Sequence, residues 1–130
     1  MVVRIHVFLI SAMLLSFNAC RQEAQRHLSI EPVTIVAANV PMTALSGDSL
    51  VVEVTCGTPT PCWEFHRYAV ARSDSGYSIV VYAEYDGRPC IQIPGTFTTR
   101  ITIAPPGPGR YVFTFNQEEG RVLRKSLIVR

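Results

Sequence analysis

The sequence is short of the residues and motifs on which catalysis most often depends. It has three histidines in 130 residues, and only His66 lies beyond the first thirty. It has no G-x-S-x-G nucleophile turn, no C-x-x-C pair and no glycine-rich loop ahead of a helix, so three common sequence signals of catalysis, redox chemistry and phosphate binding are missing. The carboxylates of Glu53, Glu64 and Glu84 fall on the polar side of alternating patterns, which is typical of solvent-facing strand residues. We expect a protein that is not an enzyme and that needs no cofactor and no metal.

An apolar run of membrane-spanning length is missing at the start of the chain. The run there, residues 5–17, is clearly shorter than the roughly 20 residues that a transmembrane helix needs. It follows the basic residue Arg4, and a short basic start followed by a short apolar run is typical of a secretory leader. Residues 1–19 are therefore predicted to be a signal peptide.

The end of this leader contains a recognisable cleavage motif. Ser16-Phe17-Asn18-Ala19-Cys20 resembles the lipobox of bacterial lipoproteins, with Phe17 and Asn18 in place of the usual aliphatic and small residues. The resemblance implies that Cys20 is diacylated on its sulfur, becomes the new N-terminus and anchors the protein to a membrane through its acyl chains. The polar residues 20–29 would then form a lipid-anchored tether. The alternative is a plainly secreted protein.

Charge of one sign is also scarce. The formal net charge of +2 falls to +1 when Arg4 is set aside, and the sequence has no basic run and no acidic tail. Binding to nucleic acid depends on neutralising phosphates with clustered basic residues. The loose group of Arg121, Arg124 and Lys125 has glutamates directly before it, so we expect no nucleic-acid partner.

From Ile30 onward the apolar residues alternate with polar ones, which is the period of a β-strand, and no helical period follows the leader. Seven strands are predicted in about 100 residues, separated by breaker-rich turns such as 57–61 and 105–109, and this spacing is typical of a β-sandwich. Residues 30–130 are therefore predicted to be one all-β domain. The expected fold is a seven-stranded, antiparallel, immunoglobulin-like sandwich with Greek-key connections.

A second resemblance concerns the whole chain after the leader. The segment Gly109-Arg110-Tyr111, the C-x-x-F pattern at 62–65 and the later Cys90 together resemble small bacterial envelope lipoproteins that carry an immunoglobulin-like domain of unknown function. The resemblance implies location in a bacterial cell envelope, at the outer membrane if the host is Gram-negative. It supplies no catalytic residues to transfer.

The segment 62–90 is predicted to form a hairpin, because two β-rich runs flank the turn-forming cluster Asp74-Ser75-Gly76. In such a hairpin, cross-strand partners have numbers that sum to about 150, so Cys62 faces a position two residues from Cys90. A disulfide between Cys62 and Cys90 is predicted. A bulge near residues 66–67 would also turn the four large apolar residues of the first strand inward, namely Trp63, Phe65, Tyr68 and Val70.

The remaining cysteine, Cys56, lies on the apolar face of its strand and is most simply a buried free thiol. Bridges 56–62 and 56–90 are alternatives. A further alternative is a zinc site made by Cys56, Cys62, Cys90 and His66, although the spacing of these residues does not match a zinc knuckle.

The candidate partner contacts are aromatic and proline-rich. Trp63 and Tyr82 are amphipathic rings of the kind that anchor partners, although Trp63 has a second interpretation as a core residue packed on the disulfide. The turn residues Thr58, Pro59 and Thr60 offer a rigid surface. We expect a non-enzymatic, lipid-anchored envelope module that binds a protein or a glycan partner or serves as a stalk. The alternative is a small inhibitor that presents the proline-rich turn to a protease or an envelope hydrolase.

Overall fold

The computed structural model describes residues 27–130. The predicted signal peptide, the lipidation candidate Cys20 and most of the predicted tether lie outside the described residues. Within residues 27–130, no helix has the length and the apolar character needed to cross a membrane.

Eight strands account for most of the described chain, and they follow the alternating segments of the sequence. They are β1 (Ser29–Asn39), β2 (Thr43–Ala44), β3 (Leu50–Thr58), β4 (Glu64–Ser73), β5 (Gly76–Tyr85), β6 (Gly95–Ile103), β7 (Gly109–Asn116) and β8 (Val122–Val129). A short 3₁₀ turn, Glu118–Gly120, connects the last two strands. The all-β prediction is confirmed.

The strands form two layers that share β1. All eight strands belong to one mixed, curled sheet, in which the first layer contains β4, β5, β7, β8 and β2 and the second contains β3 and β6. Residues 29–33 of β1 pair with β5, whereas residues 34–39 pair with β3 after the chain has crossed between the layers. A β-bulge lies between Ile35 and Ala37, immediately after the crossing. A bulge adds bend and twist to a strand, which is what a strand needs when it changes layers.

The predicted count of seven strands and the predicted all-antiparallel pairing are wrong. The structure adds the two-residue strand β2, which pairs in parallel with β8, and it pairs β5 in parallel with β7, with Gly76 opposite Val112. The parallel direction of β5 and β7 follows from the segment that connects them. Strand β6 lies in the other layer and reverses the chain once, so β7 runs in the same direction as β5. Alternation of apolar residues has the same period in both pairings, so the sequence pattern could not distinguish them.

The core lies between the two layers and is built from the inward residues of the alternating patterns. Phe113 and Phe115 are fully buried, and the ring of Tyr77 stacks on that of Phe113 with a centroid distance of 5.2 Å. In β3 the four residues of the apolar face that contains Cys56 are buried, namely Leu50, Val52, Val54 and Cys56 itself. Cys56 is a free thiol, as predicted.

Strand β4 departs from its prediction in one respect. The bulge is present between Phe65 and Arg67, and it places Phe65, Tyr68 and Val70 opposite buried residues of β5. However, these three side chains remain 40%, 39% and 37% exposed. The second layer ends at β6, and among the described strands it meets this part of β4 only at its margin, where Phe97 contacts Phe65.

Candidate functional site

The base of the hairpin is closed as the sequence predicts. Cys62 and Cys90 form a disulfide with a Cα separation of 6.1 Å. This bond removes both sulfurs from the alternative zinc site, and in residues 27–130 no group of three or more histidine, cysteine, aspartate or glutamate side chains is arranged to hold a metal ion. His66 instead places its Nδ1 2.6 Å from Glu84 Oε2. Burial raises the pKa of the Cys56 thiol to about 11, so this thiol stays protonated at neutral pH.

A cleft of about 900 Å³ opens beside this closed base, at the point where β1 leaves β5 to join β3. One wall is β1 between residues 31 and 36, and a second is the start of the proline-rich turn at residues 57–59. Trp63 and residues 94–96 lie on the same side of the cleft as the proline-rich turn. The turn before β8, at residues 117–121, forms the remaining wall. The cleft exists because the first five residues of β1 pair with β5 and are therefore separated from the second layer, which β1 joins only after the crossing.

The proline-rich wall of the cleft is held rigidly. Gly95 lies so close to Pro61 that a Cβ atom at residue 95 would be 2.6 Å from the Cα of Pro61. Thr58 Oγ1 donates a hydrogen bond of 2.8 Å to the carbonyl oxygen of Thr60 inside the turn. Because prolines fix their own φ angles, this wall is preorganised and would lose little conformational entropy on binding.

The opposite wall is polar and is tied to β1. Gln117 Nε2 donates to the carbonyl oxygen of Ile35 at 3.2 Å, which connects the turn before β8 to the crossing point. Glu31 and Glu118 contribute carboxylates to the lining, and Arg121 contributes a guanidinium. The described lining contains no histidine, cysteine or lysine. The arrangement is therefore suited to holding a ligand between apolar and polar walls.

The predicted partner residues fall in three different environments. Trp63, Thr58 and Pro59 line the cleft, and Pro59 is exposed while Thr58 is buried. Thr60 is also buried, and its hydroxyl has no hydrogen-bond partner among the described residues. Tyr82 is not a lining residue, although it pairs with Pro32, which is one. Their role as partner contacts stays a prediction.

The two aromatic candidates differ in what covers them. Trp63 is half-buried, packs against the core and stacks on Tyr85 with a centroid distance of 5.6 Å, so both interpretations of this residue describe part of its environment. The guanidinium carbon of Arg67 lies 3.9 Å from the centroid of the Tyr82 ring. One face of Tyr82 is thus occupied within the protein.

Sequence reasoning missed the residues that β1 and the last turn contribute to the cleft. Val36, Gln117 and Glu118 carry no motif, and they are far from Trp63 in the sequence. The available signal was Val36 itself, an apolar residue that is out of phase with the buried Val33 and Ile35 of the same strand.

The fold and the site define a class of protein: a small β-sandwich domain, stapled by one disulfide, with a preorganised surface cleft. A family model described as the ORF11 beta-sandwich domain matches residues 52–123, more than half of the 130 residues. The chain belongs to the ORF11 beta-sandwich domain family. This match confirms the predicted sandwich, and the family description names a fold and no activity. No curated protein and no solved structure matches the chain.

Proposed function

We propose that the protein is a lipid-anchored, non-enzymatic binding module of a bacterial cell envelope, and that it holds an extended protein segment or a glycan in the cleft beside Trp63. The observation that carries this proposal is the cleft itself, which combines a rigid proline-rich wall, an aromatic ring and a polar wall. Preorganised concave sites of this size with few polar groups are typical of binding sites. In a Gram-negative host the protein would be located at the outer membrane. The alternative is a secreted protein without a lipid anchor.

The position of β1 supports the proposed anchoring. The strand begins at Ser29, nine residues after Cys20, and an extended chain of that length spans at most about 30 Å. Glu31 and Pro32, near the start of the same strand, line the cleft. An acyl anchor on Cys20 would therefore keep the cleft close to the membrane surface, where it would meet envelope components.

The anchor is tested by the intact mass of protein purified from its native host. We expect the mass of a diacylated chain that begins at Cys20, and the loss of membrane association on Cys20→Ala. A wild-type chain that starts at another residue and carries no acyl mass would contradict the anchor and would favour secretion.

The cleft is tested with a photo-crosslinking residue in place of Thr96, which is exposed and lines the cleft. Crosslinking in host cells addresses a protein partner, and sedimentation with purified peptidoglycan sacculi addresses a glycan. We expect Glu118→Arg to reduce crosslinking or sedimentation about tenfold, because it places a long side chain and an opposite charge in the lining. Asp48→Arg is the control, since Asp48 is also an exposed carboxylate, lies outside the lining and has no ion pair among the described residues. Equal effects of the two changes would refute the assignment.

The inhibitor alternative has one observation in its favour. Pro59 is exposed at the tip of a turn whose flanking threonines are buried, so the turn is rigid as an inhibitory loop must be. An inhibitor would protect a substrate in a panel of proteases and would lose that effect on Pro59→Asp. A binding module would be indifferent in that assay.

The kinship with immunoglobulin-like domains is also part of the proposal. It is supported by Tyr111, which is buried and whose hydroxyl donates a 2.9 Å hydrogen bond to the carbonyl oxygen of Gly107. A tyrosine that bonds back to the backbone a few residues upstream is a feature of the tyrosine corner in such domains. A topology search with an experimental structure would test it.

A further inference from the structure

Three strands lie at free edges of the described sheet, namely β2, β4 and β6, and the two long ones, β4 and β6, are protected to different degrees. Among the described strands, β4 pairs only with β5 and β6 pairs only with β3. The edge of β4 carries a bulge and several charged side chains, both of which discourage pairing with another strand. The edge of β6 has neither protection, because its nine residues pair with β3 in one unbroken register and Arg100 is its only charge. Strand β6 is therefore open to a further strand.

A strand added beside β6 would cover surface that is now exposed. Phe65, Tyr68 and Val70 turn toward the core side of β4 but remain more than a third exposed. The ring of Phe65 meets that of Phe97 on β6 with a centroid distance of 6.4 Å, so this surface adjoins the free edge. We call these three β4 residues the open strip. An added strand would extend the second layer over the open strip.

We propose that the added strand is β6 of a second copy of the chain, paired antiparallel about a two-fold axis at Thr99. In this register Thr99 meets Thr99 of the second copy, and Phe97 meets Ile101. On the solvent face Thr98 meets Arg100, and Thr96 meets Thr102. Every opposed pair then lies on one face of the joined sheet, as an antiparallel ladder requires.

The register follows from charge and from length. A shift of one residue would place inward residues opposite outward ones. A shift of two residues in one direction brings Arg100 opposite Arg100 of the second copy, and like charges directly opposite destabilise a sheet. The register centred on Thr99 pairs all nine residues of β6 and leaves each Arg100 with its own Glu53, whose Oε2 lies 3.4 Å from the arginine Nε.

The area involved indicates a weak dimer. At about 40% exposure, and with 150–250 Å² for a whole aromatic side chain, the open strip supplies roughly 200 Å² of coverable surface per copy. A standard interface buries about 800 Å² per partner, so the edge of β6 and the Phe97 side chain must contribute most of the contact. We therefore expect association that depends on concentration.

The test is disulfide trapping in the full chain. Residues directly opposite in an antiparallel pair have Cα atoms about 4.5–5.5 Å apart, which is within the range of a disulfide. Thr99→Cys is expected to form a disulfide-linked dimer under oxidising conditions, with peptide mapping that joins residue 99 of both copies. Thr98→Cys is the register control, and Ala69→Cys on β4 is the control for random collision. Trapping at residue 98 or 69 as efficient as at residue 99 would overturn the proposal, as would a Thr99→Cys variant that is trapped only to a different protein.

Sedimentation equilibrium gives a second, independent readout. The wild-type chain is expected to show a reversible monomer–dimer equilibrium. Thr99→Lys, which places two ammonium groups face to face, is expected to raise the dissociation constant about tenfold or more. A wild-type chain that stays monomeric up to about 1 mM would refute the proposal. Equal association of the wild type and the lysine variant would refute it as well.

Discussion

Replacing Gly76 with alanine tests the parallel pairing of β5 with β7, which is the feature that most separates this fold from its predicted form. A Cβ atom on residue 76 would lie 1.9 Å from the carbonyl oxygen of Val112, 2.9 Å from its carbonyl carbon and 3.0 Å from its nitrogen. All three atoms belong to the backbone, so no side-chain rotation relieves the clash. Strand β7 must move away from β5.

The size of the effect follows from this movement. Ordinary contact between carbon and a carbonyl oxygen is about 3.3 Å or more, so the strands must separate by roughly 1.4 Å. The amide of Val112 now donates to the carbonyl oxygen of Ser75 at 2.9 Å, and that hydrogen bond would not survive the shift. Losing it costs about 1 kcal/mol, and overpacking at a well-filled site costs about 1–3 kcal/mol. The free energy of unfolding should therefore fall by about 2–4 kcal/mol out of the 5–15 kcal/mol typical of a domain.

The measurement is urea denaturation followed by circular dichroism, with the midpoint and the slope compared between variants. Gly107→Ala is the matched control, since a Cβ atom there would meet nothing within 4 Å and the residue does not have a positive φ. That change should leave stability the same or slightly higher. If Gly76→Ala unfolds within about 0.5 kcal/mol of the wild type, residue 76 does not approach Val112 and the parallel pair is wrong.

Three further predictions concern single residues. The thiol of Cys56 should resist alkylation in the folded protein and react on unfolding. Burial raises the pKa of this thiol from 9.0 to about 11, so the unfolded state loses the proton at lower pH than the folded state does. The free energy of unfolding should therefore fall as pH rises across that interval, which a pH series of unfolding midpoints would reveal. Replacing Cys62 and Cys90 together by alanine should lower the free energy of unfolding by about 3–4 kcal/mol, as expected for a closed loop of this length; a loss below about 1 kcal/mol would contradict that account. Glu119 has a φ of 59°, so Glu119→Gly should raise the free energy of unfolding by up to about 1 kcal/mol, whereas Glu118→Gly should lower it, and denaturant midpoints that rank the two in the opposite order would refute the reasoning.

The features predicted correctly from the sequence are those that depend on local pattern. Alternation located the strands, and the turn at residues 74–76 set a hairpin register accurate enough to pair Cys62 with Cys90. The inward side of Cys56 followed from the same period of two. These inferences hold because neighbouring residues alone determine which face of a strand a side chain occupies.

The features that were missed depend on contacts between distant segments. The direction of β7 relative to β5 is set by the layer that β6 occupies, and the residues of β5 and β7 do not themselves indicate that direction. The half-exposed state of Phe65 arises because the second layer ends at β6 and reaches β4 only through Phe97, which is a property of the whole layer. The cleft likewise joins Val36, Trp63 and Gln117, and it arises only when β1 changes layers.

The crossing of β1 between the layers also has a mechanical consequence. Hydrogen bonds in an antiparallel ladder lie perpendicular to the strands. Tension applied to the chain at Ser29 along the strand therefore loads all the hydrogen bonds between β1 and β5 together in shear, and does not break them one at a time. The same pull reaches β3 through the residues beyond Thr34, which means that both layers share the load. A domain suspended by this strand would act as a force-bearing clamp.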